Sequence, residues 1–171
     1  EGHDCLDVGA STGGFTHVLL ERGARRVIAL DVGRGQLDWQ LRNDSRVVVL
    51  EGVNARHLEA EILPFTVSLV TVDVSFISLR LIVPALLPHS AADAVIICLV
   101  KPQFEAGRDE VGKGGIVRDE RVRRQTIDKT VRSLQDLGLA LVGLVESPIR
   151  GQKGNLEELA VFRRRNPPAK G

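Results

Sequence analysis

Short apolar runs rich in valine, isoleucine and leucine recur along the chain, and segments with helical spacing of apolar residues lie between them. Such runs are typical of parallel strands that crossover helices bury on both faces. The pattern predicts strands at residues 4–9, 26–31, 46–51, 67–73, 93–101, 139–146 and 157–163. It predicts helices at residues 13–22, 36–42, 56–62, 78–87 and 118–137. The alternation of strands and helices indicates the α/β class.

Two connections differ from the rest of this pattern. Residues 147–155, SPIRGQKGN, are too few to hold a crossover helix, so the last two strands should form an antiparallel pair. We therefore expect a Rossmann-like, seven-stranded sheet that is mostly parallel and has an antiparallel last strand. Residues 102–117, PQFEAGRDEVGKGGIV, form a long glycine-bearing loop, and loops of that length are commonly functional.

The composition is that of a single globular domain. The chain has 171 residues, 43% of them hydrophobic and 26% charged, and this length is enough to bury a real core. A net charge of +1 is far from that of proteins that hold nucleic acid by charge alone. Arginines cluster at 118–124 and 163–165, where solvated helix and tail faces explain them as well as an RNA-binding surface does.

Nothing in the sequence indicates a membrane, an export route or a metal. No apolar run reaches about 18 residues and no signal peptide opens the chain, so we expect a cytoplasmic protein that does not act on membranes. Cys5 and Cys98 lie in apolar strand-like runs, which favours buried thiols over a disulfide. The four histidines have no metal-ligand spacing, and we expect no metal site.

A glycine-rich turn follows the first predicted strand. Residues 6–16, LDVGASTGGFT, run from that strand through the turn into a helix. Gly9, Gly13 and Gly14 allow a sharp turn and let a ligand approach the backbone. The pattern Asp-x-Gly-x-x-x-Gly-Gly is not the GxGxxG of nicotinamide sites, and it lacks the lysine of a phosphate loop. Both of those interpretations are therefore weakened.

Two carboxylates flank this turn. Asp7 lies near the end of the first predicted strand and Asp31 at the end of the second, where a carboxylate can accept hydrogen bonds from a ribose diol. Two acids suit a ligand with a cationic head and a free ribose better than a pyrophosphate. S-adenosylmethionine is such a ligand, and we expect it as the cofactor. The alternative is that Asp31 caps its loop and Asp7 caps the first helix.

Three further ionisable residues fall at predicted strand ends. Asp73 ends the fourth strand, Lys101 ends the fifth, and Glu157 begins the last. If the final hairpin lies beside the fifth strand, all three meet at one edge of the sheet, where function collects in such folds. Each alone has a structural explanation, as a helix cap, a lysine at a strand end or a solvated strand residue. Their convergence predicts a catalytic group.

Six motifs are spread over residues 3–163: LDVGASTGGFT, LDVGRGQL, VDVSFISL, LVKPQFE, GKGGIVRD and KGNLE. In combination they resemble the TlyA-type ribosomal RNA 2′-O-methyltransferases, relatives of the FtsJ/RrmJ methyltransferases that are also called hemolysins. The resemblance implies a class I methyltransferase fold. It also implies methyl transfer from S-adenosylmethionine to a ribose 2′-hydroxyl, with ribosomal RNA or a ribosomal subunit as the partner.

The resemblance further implies a catalytic tetrad of lysine, aspartate, lysine and glutamate, whose last three members match Asp73, Lys101 and Glu157. Lys101 would act as base or oxyanion stabiliser, and the sequence leaves open whether it takes the proton itself. We expect the first lysine and the family's amino-terminal RNA-binding domain to lie outside this chain, which puts the activity of the chain alone in doubt. The methyltransferase domain is expected at residues 1–165 and a flexible tail at 166–171.

For the cofactor we expect contacts from eight residues near the strand ends. They are Asp7, Gly9, Ala10, Ser11, Gly13, Asp31, Asn54 and Asp73. Asn54 would meet the adenine edge and Asp73 the sulfonium, whereas Gly33 and Gln36 serve equally well as simple turn residues. Phe76 and Phe104 are expected to pack in the core rather than to stack on a flipped nucleotide.

Other functions compete with this interpretation. No proline follows Asp73, unlike in amino-methyltransferases, and Cys98 lies within a strand rather than beside the acceptor, so a hydroxyl acceptor remains. The alternatives from other classes are a nicotinamide-dependent oxidoreductase, a cofactor-binding domain without chemistry, and a membrane-acting hemolysin. The chain lacks the long apolar segment or basic amphipathic helix that a membrane-acting protein needs.

Overall fold

Seven strands form one mixed sheet in the computed structural model, which describes residues 1–59, 61–151 and 153–165. Their bounds are β1 Asp4–Val8, β2 Arg26–Asp31, β3 Val47–Glu51, β4 Val67–Val72, β5 Ser90–Val100, β6 Leu139–Glu146 and β7 Glu158–Arg164. The strand order is β3-β2-β1-β4-β5-β7-β6. The first five strands are parallel, and β7 runs antiparallel to both of its neighbours. The predicted fold class is confirmed.

Among the described residues, five helices and three single turns of 3-10 helix connect the strands. The helices are α1 Gly14–Glu21, α2 Trp39–Arg42, α3 Leu79–Leu86, α4 Pro102–Glu105 and α5 Glu120–Gln135. The 3-10 turns are Ala55–His57, Leu87–His89 and Arg108–Glu110. The longest helix, α5, begins where the Asp119 side chain accepts hydrogen bonds from the backbone N–H groups of Arg121 and Val122, a standard N-cap arrangement.

Two hydrophobic layers cover the sheet. The larger layer joins α3 and α5 to β1, β4, β5 and β7, with Ile127, Leu134 and Phe162 fully buried at its centre. The smaller layer joins α1 and α2 to β1 and β2, with Leu20 and Leu41 buried. Because the central strands are covered on both faces, they read as continuous apolar runs in the sequence.

The prediction of a helix at residues 56–62 was wrong. Only Ala55–His57 form a helical turn, of the 3-10 type, and it starts where Asn54 Oδ1 accepts a hydrogen bond from the Arg56 backbone N–H. Pro64 follows closely, and a proline disfavours helical backbone in the residue before it. Apolar residues at helical spacing were therefore not enough to form a helix in this segment.

Other predicted bounds differ from the structure by a few residues. The helix predicted at 36–42 comprises only Trp39–Arg42, because Asp38 serves as its N-cap. Strand β5 starts at Ser90, three positions before the predicted start, and the short helix α4 was not predicted. The predicted tail at 166–171 lies outside the described residues.

Candidate active site at the carboxyl ends of the strands

A cavity of about 710 Å³ lies at the carboxyl ends of the parallel strands. Its walls are the turn after β1, the loops after β4 and β5, and the connection between β6 and β7. This is the edge of an open α/β sheet at which ligands commonly bind. Asp73, Lys101 and Glu157 all line the cavity, so the structure brings together the three residues that were predicted to converge.

Lys101 and Asp73 form an ion pair across the tips of β5 and β4. The Lys101 Nζ lies 2.6 Å from Asp73 Oδ1 and donates a hydrogen bond to Ser75 Oγ at 3.2 Å. The Lys101 side chain is only 13% exposed. Asp73 Oδ1 is buried and accepts no aligned hydrogen bond from any residue that the structure describes. The pair therefore holds a positive charge at the cavity wall and leaves a carboxylate oxygen without an aligned donor.

Glu157 reaches the same cavity because of the strand order. Val100 of β5 pairs with Glu158 of β7, so the residue before β7 lies beside the end of β5. Glu157 is buried, and its Oε1 accepts a hydrogen bond of 2.7 Å from Gln103 Nε2. Gln103 follows Lys101 by two positions, in α4, so this bond ties the start of β7 to the turn that carries the lysine.

The glycine turn packs directly against the tip of β4. Gly9 has a φ of +81°, and a Cβ at this position would collide with the backbone carbonyl of Asp73. The Asp73 backbone N–H in turn donates to the Val8 carbonyl at 2.9 Å. Only glycine combines this backbone conformation with so close an approach. The turn therefore lies against the residue that pairs with Lys101.

Asp31 connects the glycine turn to the loop after β2. Its Oδ2 accepts a hydrogen bond from the Ser11 backbone N–H at 2.8 Å, and its Oδ1 accepts one from the Gly33 backbone N–H at 2.7 Å. Ser11 itself has a φ of +49°, which is uncommon for a residue other than glycine. One carboxylate thus fixes both loops and keeps lone pairs for a further donor.

Not every predicted cofactor residue lines the cavity. Asp7 is buried beneath the turn, where its carboxylate accepts hydrogen bonds from the hydroxyls of Thr16 and Thr71. Burial raises the pKa of the Asp7 carboxyl. Gly9, Ala10 and Ser11 line the cavity, whereas Asp7 and three other predicted residues do not. Those three are Gly13, Asp31 and Asn54.

The expectation that Phe76 packs in the core was wrong. Phe76 is 88% exposed, and its φ of +63° places it in the left-handed region. Its ring contacts that of Phe104, with 4.9 Å between centroids and 50° between planes. Both rings line the cavity. The reason is that Phe76 belongs to the loop between β4 and α3, which turns its side chain away from the sheet.

Sequence reasoning missed four polar residues of the cavity. Ser75 and Gln103 contact Lys101 and Glu157 as described, and Lys153 lines the opposite wall. Asn155 is buried and joins two loops: its Oδ1 accepts from the Val117 backbone N–H at 3.0 Å, and its Nδ2 donates to the Gly115 carbonyl at 2.9 Å. The motifs LVKPQFE and KGNLE contain three of these residues, Gln103, Lys153 and Asn155, but within these motifs only Lys101 and Glu157 were predicted as site residues.

Several arginines of the two basic runs are engaged within the fold. Arg123 and Arg124 lie 3.6 and 3.7 Å from Glu158 Oε1, and Arg164 donates hydrogen bonds to the carbonyls of Leu87 and Ser90. These contacts favour a structural explanation for the runs. Besides Lys101, the cavity is lined by the cations Arg150 and Lys153, which come from the connection between β6 and β7 rather than from the basic runs.

The two cysteines are free and buried. Burial raises the pKa of Cys5 to about 11 and that of Cys98 to about 12, so neither is a nucleophile near neutral pH. Across the part of the chain that the structure describes, no group of three or more histidine, cysteine, aspartate or glutamate side chains could hold a metal ion. Within those same residues, no helix is both long and apolar enough to cross a membrane.

Comparison with known proteins gives a consistent set of relatives. Residues 1–164 match the protein-family profile described as FtsJ-like methyltransferase. The chain is 54% identical over 156 residues to the 16S/23S rRNA (cytidine-2′-O)-methyltransferase TlyA of Mycobacterium tuberculosis, covering 91% of this chain and 58% of that protein. It is 45% identical over 163 residues to Hemolysin A of Brachyspira hyodysenteriae, covering 95% of this chain and 68% of that protein.

A solved structure shares the fold closely. The crystal structure of a provisionally named hemolysin from Lactococcus lactis has 46% identity and a TM-score of 0.93, covering 97% of this chain and 80% of that chain. The chain therefore resembles these relatives over nearly all of its own length, while it spans 58% of the mycobacterial protein.

Proposed function

Because the chain belongs to the FtsJ-like methyltransferase family, we propose that its cavity binds S-adenosylmethionine and serves methyl transfer to a ribose 2′-hydroxyl of ribosomal RNA. One observation carries the proposal: Lys101, Asp73 and Glu157 line a single cavity whose other wall is the glycine turn. The mycobacterial and other relatives named as rRNA (cytidine-2′-O)-methyltransferases support the choice of acceptor.

The residues at the cavity fit the proposed cofactor. A volume of about 710 Å³ lies within the usual range for small-molecule sites. Gly9, Ala10 and Ser11 line the cavity, and Asp31, which lies outside the lining but accepts a hydrogen bond from Ser11, retains acceptor capacity for a ribose diol. Asp73 lines the cavity with a side chain that is 32% exposed, so the part of its carboxylate that faces the cavity is suited to lie near a sulfonium. Asp7 would act indirectly, by holding the turn through Thr16.

When bound, the cofactor supplies a methyl group on a sulfonium, and transfer forms a bond from oxygen to the methyl carbon as the carbon–sulfur bond breaks. The hydroxyl must pass its proton to water or to a carboxylate of the cavity, and oxygen and carbon must be held about 3–3.5 Å apart. Lys101 holds positive charge where the oxygen becomes negative. Asp73 and Glu157 orient the lysine and the hydroxyl from two sides.

The outer part of the cavity suits a nucleotide. Phe76 is exposed and Phe104 is half-buried beside it, and together they offer ring surface on which an unstacked base can lie. Arg150 and Lys153 line the facing wall, where cations can contact phosphate oxygens. The acceptor ribose would then lie between the phenylalanine pair and the basic wall, next to Lys101.

Calorimetric titration of the chain with S-adenosylmethionine, and separately with NAD, is the first test. We expect binding of the first compound alone. The chain is then incubated with ribosomal RNA and methyl-labelled cofactor, and the digested RNA is analysed by mass spectrometry for 2′-O-methylated nucleosides. Binding of NAD alone would show that the family assignment has misled us about the cofactor. Label on a base nitrogen or carbon would refute the ribose acceptor.

A further inference from the structure

Glu105 is a buried carboxylate in α4 that contacts two other helices, α3 and α5. It ends α4, and its side chain is only 2% exposed. Oε1 accepts a hydrogen bond from the Leu79 backbone N–H at 2.7 Å, at the start of α3. Oε2 accepts from Ser78 Oγ at 2.6 Å and from Thr130 Oγ1 of α5 at 3.4 Å. The Arg80 Nε lies 3.7 Å from the same oxygen.

These contacts join the two segments that carry the acceptor side of the cavity. On one side of Glu105 in sequence are Lys101, Gln103 and Phe104, all within four positions. Ser78, which does not line the cavity itself but bonds to Glu105, follows the loop that holds Ser75 and Phe76. The Lys101–Ser75 hydrogen bond and the Phe76–Phe104 contact both cross between these segments. Glu105 therefore joins the two segments at a buried point close to both pairs.

Neither segment is rigid by virtue of its own structure. The helix α4 has four residues, far fewer than an isolated helix needs to be stable. The loop after β4 includes Phe76 at a positive φ, a conformation that surrounding contacts must maintain. A tether between the two segments is therefore needed to hold their side chains in register.

Burying this carboxylate is unfavourable in itself. Desolvation raises the pKa of Glu105, although the hydrogen bonds from Ser78 and the Leu79 backbone oppose the rise. A glutamine, or an apolar residue of similar volume, would avoid that cost of desolvation. A buried acid that belongs to one cavity segment and accepts hydrogen bonds at the end of the other is better explained by geometry than by stability.

We propose that Glu105 is a positioning residue, which fixes the loop after β4 against the turn after β5 and thereby sets the Lys101–Asp73 and Phe76–Phe104 pairs. The inference rests on the proposed function, because it assigns those two pairs to the acceptor side of a methyl-transfer site. Glu105 itself does not line the cavity and touches neither cofactor nor acceptor.

Two variants distinguish the hydrogen bonds of Glu105 from its negative charge. Glu105→Gln keeps an acceptor for the Leu79 N–H, and the new amide can donate to Thr130 Oγ1, whose own proton goes to the Thr126 carbonyl. We therefore expect turnover within about fivefold of wild type. Glu105→Leu removes every acceptor, and we expect kcat to fall about 100-fold, the scale of a misplacement near 1 Å. The dissociation constant for S-adenosylmethionine should stay within about threefold in both variants, because the glycine turn is untouched.

Leu134→Ala is the control for a general loss of stability. Leu134 is fully buried in α5, contacts the larger core layer and has no bond to either segment. We expect this variant to melt at a lower temperature than Glu105→Leu and yet keep its kcat at a temperature where both are folded. If kcat falls in proportion to melting temperature across the three variants, Glu105 is only a structural residue and the proposal is wrong.

Hydrogen exchange of the intact chain tests the tether without any turnover. In Glu105→Leu, exchange should accelerate in peptides covering 73–80 and 101–106 and stay unchanged in β1 and β2. Unchanged exchange in both peptides would overturn the inference. If NAD binds in place of S-adenosylmethionine, or if the methyl group is found on a base, the proposed function fails, while the exchange result still decides whether Glu105 holds the two segments together.

Discussion

The side chain of Phe76 is exposed and its backbone adopts a left-handed conformation, two features that core packing does not produce. Its contact with Phe104 leaves one aromatic face turned to the cavity. Because the Phe76 side chain is exposed, its removal should leave the free energy of unfolding nearly unchanged. A substitution at Phe76 can therefore change RNA binding without changing stability.

Phe76→Ala should therefore leave the melting temperature unchanged within about 1 °C, since exposed substitutions usually change stability by less than about 0.5 kcal/mol. We expect the KM for RNA to rise about tenfold, in line with base–aromatic stacking of about 1–3 kcal/mol. Steady-state kinetics at saturating cofactor measures this. Val142→Ala, at another exposed apolar residue that does not line the cavity, should leave the KM unchanged; an equal rise in both variants would contradict a specific role.

Lys101 and Lys153 line the same cavity, but only Lys101 is paired with a carboxylate. For Lys101→Ala we expect kcat to fall by at least about 100-fold, the usual contribution of a positioned acid–base or electrostatic group. Cofactor affinity should stay nearly intact. Lys153→Ala should instead raise the KM for RNA and leave kcat close to that of wild type. Single-turnover rates measured with both variants would refute the assignment if Lys101→Ala reacted at the wild-type rate.

Among the elements, strands were predicted more accurately than short helices. The strands β1 to β4 begin and end within one residue of prediction, because burial on both faces gives each of them an unbroken apolar run. Helices of four residues, such as α2 and α4, have too few positions to show a helical period. For the same reason the site was predicted through its ionisable residues, whereas Gln103, positioned by α4, was missed.

The glycine turn after β1 supports a prediction at this scale. Gly9→Ala places a Cβ against the Asp73 carbonyl and also strains a φ of +81°. We expect cofactor affinity to fall by more than about 100-fold as the turn moves away from β4. Gly138→Ala is a matched control, since Gly138 has a φ of +85° and open space around a Cβ. An alanine in the left-handed backbone conformation costs about 1–2 kcal/mol in either variant. A difference between the two variants in the affinity for S-adenosylmethionine, measured by calorimetric titration, therefore reports the collision of the Cβ with Asp73 alone.

At the scale of the whole molecule, buried and paired carboxylates give opposite dependences of stability on pH. Asp4 is paired with Arg25 and Arg26, which lower its pKa, and Arg46 lowers the pKa of Asp44 to about 2. Both groups therefore contribute stability that is lost on acidification below their unfolded pKa values, near 3.8. Asp7 and Glu105 have raised pKa values, so their contribution is lost as the pH rises.

Asp7→Asn tests the second dependence. At a pH below the unfolded value of 3.8, Asp7 is neutral in both states, and variant and wild type should be similarly stable. As the pH rises through the raised pKa, wild type must ionise a buried group, while the amide can still bond to the hydroxyls of Thr16 and Thr71. The stability advantage of the variant should therefore grow from pH 4 to pH 8. Denaturant titrations across this range would contradict the sign if the advantage shrank.

The position of β7 determines when the site can exist during synthesis. In sequence β7 follows every other strand, yet it lies between β5 and β6, inside the sheet. When β1 to β6 have left the ribosome, β5 and β6 both still lack their shared neighbour β7. Each of them then exposes a strand edge whose backbone groups are unpaired. Only when β7 emerges and inserts do those edges close, and the same event brings Glu157 to Lys101. Completion of the sheet and assembly of the site thus depend on the same strand.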